Sequence, residues 1–314
     1  MSILYLVVPC YNEEAVLPET SKRLSEKLKD LVSSGKVDKR SRILFVDDGS
    51  HDKTWSMICE YHNRDSLIGG VKLSRNRGHQ NALLAGLTVA WGHCDCAISL
   101  DADLQDDIQV IDEFVKKYDE GCEVVYGVRK RRDTDTFFKR FTAQSFYKIM
   151  KALGVNIVYN HADYRLLGKK ALGALLEYKE VNLFLRGIVP LIGFKSDFVY
   201  YDRNERFAGE SKYPLKKMLS FAIEGISSFS VQPLKLISSL GVAITLFSII
   251  GLIYALISGL AGSDSAFWVA IISSIWLLGG IQLLCIGVVG GYIGKIYSET
   301  KARPRFIIDE VINK

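Results

Sequence analysis

The chain has 314 residues, a formal net charge of +5 and a mean hydropathy just above zero. That length allows one substantial domain plus further elements, and the modest charge with no basic–aromatic array argues against a nucleic-acid partner. The six cysteines (Cys10, Cys59, Cys94, Cys96, Cys122 and Cys285) form no Cys-x-x-Cys pair, which argues against a zinc knuckle and for reduced thiols.

The N-terminus enters an apolar run, Ile3–Val8, with no basic leader or cleavage site, so it reads as a first strand rather than a signal peptide. A continuous β-rich run of this kind suits a buried strand of a parallel sheet, with Pro9 expected to end it. Leu17, Leu24, Leu28 and Leu31 then share one helical face. Ile43–Val46 reads as a second strand closing on Asp47-Asp48-Gly49-Ser50, and Val71–Leu73 as a third. A small-residue helix from His79 to Trp91 leads to a strand, Ala97–Leu100, that runs into Asp101. Strands alternating with helices predict an open α/β sheet, whose ligands bind at the carboxyl ends of the strands.

The chemistry-bearing residues sit just past those ends. Asp101-Ala102-Asp103-Leu104-Gln105 puts two carboxylates and an amide oxygen at alternate positions. In extended backbone these would point one way, a hard-oxygen set suited to Mg²⁺ or Mn²⁺ and to diphosphate. The plainer alternative is a solvated acidic turn, since Asp106 and Asp107 follow. Asp47-Asp48 could accept from base N–H and ribose hydroxyls, while Ser50 or Asp52 caps a helix. Tyr11 offers an aromatic face to a base. No Gly-x-Gly-x-x-Gly or Walker sequence is present, which excludes the familiar dinucleotide and ATP cradles. His79 and His161, lone histidines without a partner at ligand spacing, read as structural or surface residues. Asp163 and Arg165 read equally as shapers of an acceptor site or as a structural ion pair.

Two features point to a bilayer. Arg129–Lys151 carries eight basic residues against two acidic ones, interleaved with Phe137, Phe138, Phe141, Phe146 and Tyr147. Such a segment, like Tyr213–Gln232 after it, suits anionic lipid headgroups, or else a solvated helix with an aromatic core face. Leu236–Ser258 and Phe267–Gly294 contain no charged residue, and each exceeds the roughly 20 residues that span a bilayer. Lysines and arginines flank both outer ends, and the connection Gly259–Ala266 carries only Asp264, so both termini are expected in the cytoplasm. The glycine-rich second span would permit close helix packing between copies.

Val8-Pro9-Cys10-Tyr11-Asn12-Glu13-Glu14, Val46-Asp47-Asp48-Gly49-Ser50 and Asp101-Ala102-Asp103-Leu104-Gln105 resemble the three signatures of family-2 glycosyltransferases with the GT-A fold. Arg203–Lys212 and Gly290–Tyr297, with the two spans, narrow the resemblance to the polyprenyl-phosphate glycosyltransferases, above all the bactoprenol glucosyltransferases, with dolichol-phosphate mannose synthases as cousins. The resemblance implies an α/β, Rossmann-like GT-A catalytic domain over 1–212, amphipathic interface helices over 213–235, two transmembrane helices within 236–294 and a cytoplasmic tail over 295–314. It implies nucleotide-sugar contacts from Pro9, Tyr11, Glu13, Val46, Asp48, Asp101 and Ala102, and a metal, Mg²⁺ or Mn²⁺, on Asp103 and Gln105. Arg206 and Lys212 would close over the donor diphosphate, and Arg129 with Arg131 would meet the acceptor phosphate. Asp103, Arg129, Arg206 and Lys212 are thus the expected catalytic set. The expected activity is inverting transfer from a nucleotide-sugar, UDP-glucose first, to undecaprenyl phosphate at the cytoplasmic membrane. UDP-GlcNAc, UDP-galactose and GDP-mannose are alternative donors, and the resemblance implies a homo-oligomer, a tetramer in resembling members. A processive synthase would need more spans and a Gln-x-x-Arg-Trp signature, which the four tryptophans exclude. A transporter would need a polar path that these spans lack, and the intact acidic set argues against a non-catalytic scaffold.

Overall fold

The computed structural model describes residues 1–130, 161–180, 184–202, 250 and 264–313. Arg131, Arg206, Lys212, the amphipathic segment Tyr213–Gln232, and nearly all of Arg129–Lys151 and of the first expected span lie outside the described residues. The first half alternates strand and helix as expected: β1 Leu4–Cys10, α1 Leu17–Ser33, β2 Arg42–Asp47, α2 Thr54–Arg64, β3 Ile68–Leu73, α3 His79–Trp91, β4 Cys96–Ser99 and α4 Ile111–Asp119. Then come β5 Val124–Arg129, β6 His161–Gly168, α5 Lys169–Glu177, α6 Leu185–Leu191, β7 Ser196–Tyr201, α7 Asp264–Thr300 and β8 Ile308–Ile312. Among the described residues these strands form one eight-stranded mixed sheet in the order β7-β5-β6-β4-β1-β2-β3-β8. The fold is an open, mixed α/β sheet with helices packed on it.

Every residue of β1 is buried, because it lies centrally between parallel partners β2 and β4 and is covered on both faces. Pro9 does not end this strand, contrary to expectation; it pairs with Val46 inside it. Odd-numbered residues of β1 face β4, where Val7 O accepts from Leu100 N at 3.2 Å, whereas Cys10 O faces β2 and accepts from Asp48 N at 2.9 Å. The β4 pairing stops at Val7↔Ser99, so the position of the missing Pro9 N–H has no carbonyl to lose.

Helix α1 buries Leu17, Leu24, Leu28 and Leu31 as one stripe against the sheet. It stops where Gly35 takes a φ of +70° and Lys36 N and Gly35 N bond back to Leu31 O (3.0 Å) and Val32 O (3.1 Å). That pair of bonds satisfies the last carbonyls of the helix. On the other face, α3 packs so closely over β1 and β2 that a Cβ at Gly86 would lie 2.5 Å from methyl carbons of both Val7 and Val46.

The described residues fall into two compact units, one holding all eight strands and the other α7. Helix α7 runs unbroken for 37 residues, about 55 Å at 1.5 Å per residue, and contains the second charge-free stretch, Phe267–Gly294. Not every side chain along α7 is described, and among those that are, no helix is long and apolar enough to cross a membrane. The chain then returns to the sheet: β8 pairs antiparallel with β3, and Ser74 N bonds Ile307 O at 3.0 Å. The end of the expected cytoplasmic tail is thus an edge strand of the eight-stranded sheet.

Gly86→Ala is expected to lower stability. The helix-propensity gain of up to about 1 kcal/mol is outweighed by about 1–3 kcal/mol of overpacking against Val7 and Val46. Thermal melting reads this as a fall of a few degrees; an unchanged or higher melting temperature would show that α3 can move away from the sheet.

Candidate active site

The loops after β1 and β2 are bonded into one platform. Asn12 N donates to Ser50 Oγ (3.0 Å), His51 N to Asn12 Oδ1 (2.9 Å), Glu13 N to Thr54 Oγ1 (3.0 Å) and Glu14 N to Asp52 Oδ2 (3.2 Å). Asn12 meets this geometry with a left-handed φ of 53°, which asparagine tolerates better than most residues. Tyr11 and Glu13 are half-buried on this platform, while Pro9 and Val46 are buried beneath it.

Asp48 has a different setting from an open ribose acceptor. Its two oxygens accept from Arg77 N (2.7 Å) and Gly78 N (2.9 Å), so it ties the β2 end to the start of α3. Burial pushes its carboxyl above the usual range, against the pull of those two N–H groups. Both oxygens are thus engaged by the backbone, and the side chain is buried.

The acidic segment past β4 is not extended. Residues 101–105 form a turn in which Leu104 adopts a φ of +56°, yet the alternation survives: Ala102 and Leu104 are buried, while Asp101, Asp103 and Gln105 are half-exposed. The turn is held from below, where Thr20 Oγ1 of α1 donates to Ala102 O at 2.7 Å. Gln105 N donates to Asp103 Oδ1 at 3.2 Å. Asp101, Asp103 and Gln105 are thus all partly open to solvent, in a turn instead of a strand pleat.

Asp106 is no solvated turn residue, as the plainer alternative had it; it is 5% exposed. Tyr201 Oη donates to its Oδ1 at 2.5 Å, and Arg129 Nη2 stands 3.7 Å from the same oxygen. Arg129 Nε also donates to Tyr201 Oη at 3.3 Å. Burial, reinforced by the charge of Asp101, raises the Asp106 carboxyl to about 6 despite Arg129. The carboxylates past β4 therefore repel one another, and a divalent cation with hard-oxygen preference would relieve that repulsion. Asp103 and Gln105 supply two such oxygens; among the described residues no three His, Cys, Asp or Glu side chains are grouped to enclose an ion. The donor set fits an open site in which a bound diphosphate completes the shell.

Three residues enter the site without a signal in the linear sequence. His79, at the start of α3, places Nε2 3.5 Å from Asp101 Oδ1. Tyr201, at the end of β7, reaches Asp106. Arg186, on α6, donates through Nη2 to Asp163 Oδ2 (3.0 Å) and through Nε to Asp163 Oδ1 (3.3 Å). Asp163 also receives Nη2 of Arg165, which is itself 2% exposed, so the Asp163–Arg165 pair is a buried ion pair. Burial works against the Asp163 charge, but Arg186 and Arg165 outweigh it and hold the carboxyl well below the usual range.

The family model for glycosyl transferase family 2 matches residues 5–176. The chain belongs to glycosyl transferase family 2. It is 56% identical over 98% of its length to the uncharacterized glycosyltransferase YkoT of Bacillus subtilis, of which it covers 91%. It is 38% identical to the prophage bactoprenol glucosyl transferase homolog of Escherichia coli, over 98% of each chain. The bactoprenol glucosyl transferase of Shigella phage SfX matches at 38% identity over 96% of this chain and 97% of its own. The chain is a glycosyltransferase, and the acidic turn past β4 is its candidate active site.

Asp163→Asn is expected to cost about 3–5 kcal/mol, because it strands the buried Arg165 charge. A depressed folded-state pKa makes the stabilisation by Asp163 complete above the ordinary aspartate range near 4 and lost as pH falls below it. The melting difference between wild type and variant should therefore be full at pH 7 and shrink in acid. A difference independent of pH down to the acid limit of folding would contradict the ionised pair.

Proposed function

We propose that this glycosyltransferase moves glucose from UDP-glucose to undecaprenyl phosphate at the cytoplasmic face of the membrane, with inversion at the anomeric carbon. The observation that carries the reading is the near full-length similarity to relatives named bactoprenol glucosyl transferase. The charge-free stretches Leu236–Ser258 and Phe267–Gly294, the latter within the continuous α7, support a two-span anchor. Lysines and arginines at their outer flanks support a cytoplasmic catalytic domain.

Tyr11, Glu13 and Asp48 line the platform that would take the base and ribose, with Pro9 and Val46 beneath. Asp101, Ala102 and Asp103 then face the diphosphate, and Asp103 with Gln105 would hold Mg²⁺ or Mn²⁺. Such an ion supplies positive charge against the departing diphosphate. Arg206 and Lys212 are proposed to add to that charge from the donor side, and Arg129 with Arg131 to meet the acceptor phosphate.

The attacking atom is an acceptor phosphate oxygen. It forms a bond to the anomeric carbon as the bond from that carbon to the UDP oxygen breaks, and UDP leaves with the electron pair. The nucleophile is already anionic at neutral pH, so no proton has to be removed and no strong general base is required. What the chain supplies is alignment and a fixed field of charges.

Purified full-length protein incubated with undecaprenyl phosphate, Mg²⁺ or Mn²⁺ and a panel of labelled nucleotide-sugars should label the lipid from UDP-glucose. Label entering a carbohydrate acceptor but never the lipid would refute the reading. Asp103→Ala should lower the rate by roughly 10²–10³-fold, the usual cost of one transition-state charge contact; full activity would remove Asp103 from the mechanism.

A further inference from the structure

We propose that Arg186, held in place by Asp163, binds the phosphate group of the acceptor. The inference rests on the lipid-phosphate reading above and names a residue outside the set that the sequence motifs supply.

The sheet order separates the two substrates. Asp101 follows β4, in the middle of the sheet. On one side of β4 lie β1 and β2, whose loops carry Tyr11, Glu13 and Asp48. On the other lie β6 and β5, which carry Asp163 and Arg129. A donor with its base over β1 and β2 and its diphosphate at Asp101–Asp103 leaves the β6–β5 side to the acceptor. Arg186 stands on that side.

Its position is built, not incidental. The backbone before it is anchored at both polar groups: Leu185 N donates to Gln80 Oε1 at 2.9 Å and Leu185 O accepts from Arg165 Nη1 at 3.3 Å. Ile188 and Val189 of the same helix are buried. Two bonds to Asp163 then fix the plane of the guanidinium, although its side chain remains 36% exposed. Arg165, the second partner of Asp163, is sealed from solvent, so Arg186 is the arginine of this trio that reaches the surface.

The charge arrangement has the same sense. One carboxylate, Asp163, faces two guanidiniums, and the Arg186 charge also opposes that of Arg129. On this reading the acceptor group is a phosphomonoester, whose oxygens a guanidinium recognises by charge-assisted hydrogen bonds.

The test uses the full chain in detergent, comparing wild type, Arg186→Ala and Arg186→Lys. Initial rates are measured against polyprenyl phosphate at saturating donor, and donor binding is measured separately by calorimetry. For Arg186→Ala the KM for the lipid phosphate should rise on the order of 10- to 100-fold, as for one lost charged hydrogen bond, with the donor Kd nearly unchanged. Arg186→Lys should raise that KM by a smaller factor, and added guanidinium ion should restore part of the Arg186→Ala rate. If Arg186→Ala melts early, the Arg186→Lys comparison decides. An unchanged lipid KM, or a donor Kd that weakens in step with it, overturns the assignment. Wild-type protein that glucosylates no polyprenyl phosphate would instead sink the underlying reading, and this inference with it.

Discussion

Carboxylates crowd the carboxyl edge of the sheet, and much of the neighbouring structure exists to make that crowding tolerable. Asp101, Asp103 and Asp106 follow β4 within seven residues, and Asp163 stands on the neighbouring strand β6. Left alone they would repel one another, or take up protons and lose their charge. Asp106 goes part of the way, with its carboxyl raised to about 6. Tyr201 and Arg129 compensate it, His79 approaches Asp101, and Arg165 with Arg186 compensates Asp163. These partners come from α3, β5, β6, α6 and β7, so assembling the acidic site requires most of the fold.

The two sides of the edge are built differently. Around β1 and β2, backbone N–H groups donate to short polar and acidic side chains, giving a closely bonded platform. Asp48 extends that platform to α3 by accepting two N–H groups. Around β5 and β6 the contacts are between full charges, with arginines predominating. A closely bonded surface of hydrogen-bond acceptors suits a base and ribose; one that carries arginines suits a second phosphate. The division lies at β4, where the diphosphate is proposed to sit.

Much of this was legible in the sequence because it is encoded locally. Buried parallel strands read as apolar runs, and the leucine stripe of α1 reads at helical spacing. Pro9 misled because the cost of a missing N–H depends on which neighbour that N–H would face, a property of strand order. The acidic motif was placed on the right side of the sheet, but its turn depends on Leu104 adopting a left-handed φ, which no leucine advertises. Strand β8, Ile308–Ile312, was hidden because an edge strand exposes Asp309, Glu310 and Val311 and so lacks a buried strand's pattern. His79, Tyr201 and Arg186 join the site across 22, 95 and 23 residues of chain from Asp101, Asp106 and Asp163 respectively. Separations like these carry no periodic signal.

The central claim is that the acidic turn binds a divalent cation together with a nucleoside diphosphate, each supplying ligands or charge for the other. Linkage makes that claim quantitative, since each ligand must change the affinity of the other by the same factor. The direct measurement is Mn²⁺ binding, followed by electron paramagnetic resonance, without and with saturating UDP. UDP should tighten Mn²⁺ binding, Mn²⁺ should tighten UDP binding to the same degree, and both effects should vanish in Asp103→Asn. Mn²⁺ and UDP that bind independently, or a coupling that Asp103→Asn leaves intact, would contradict it.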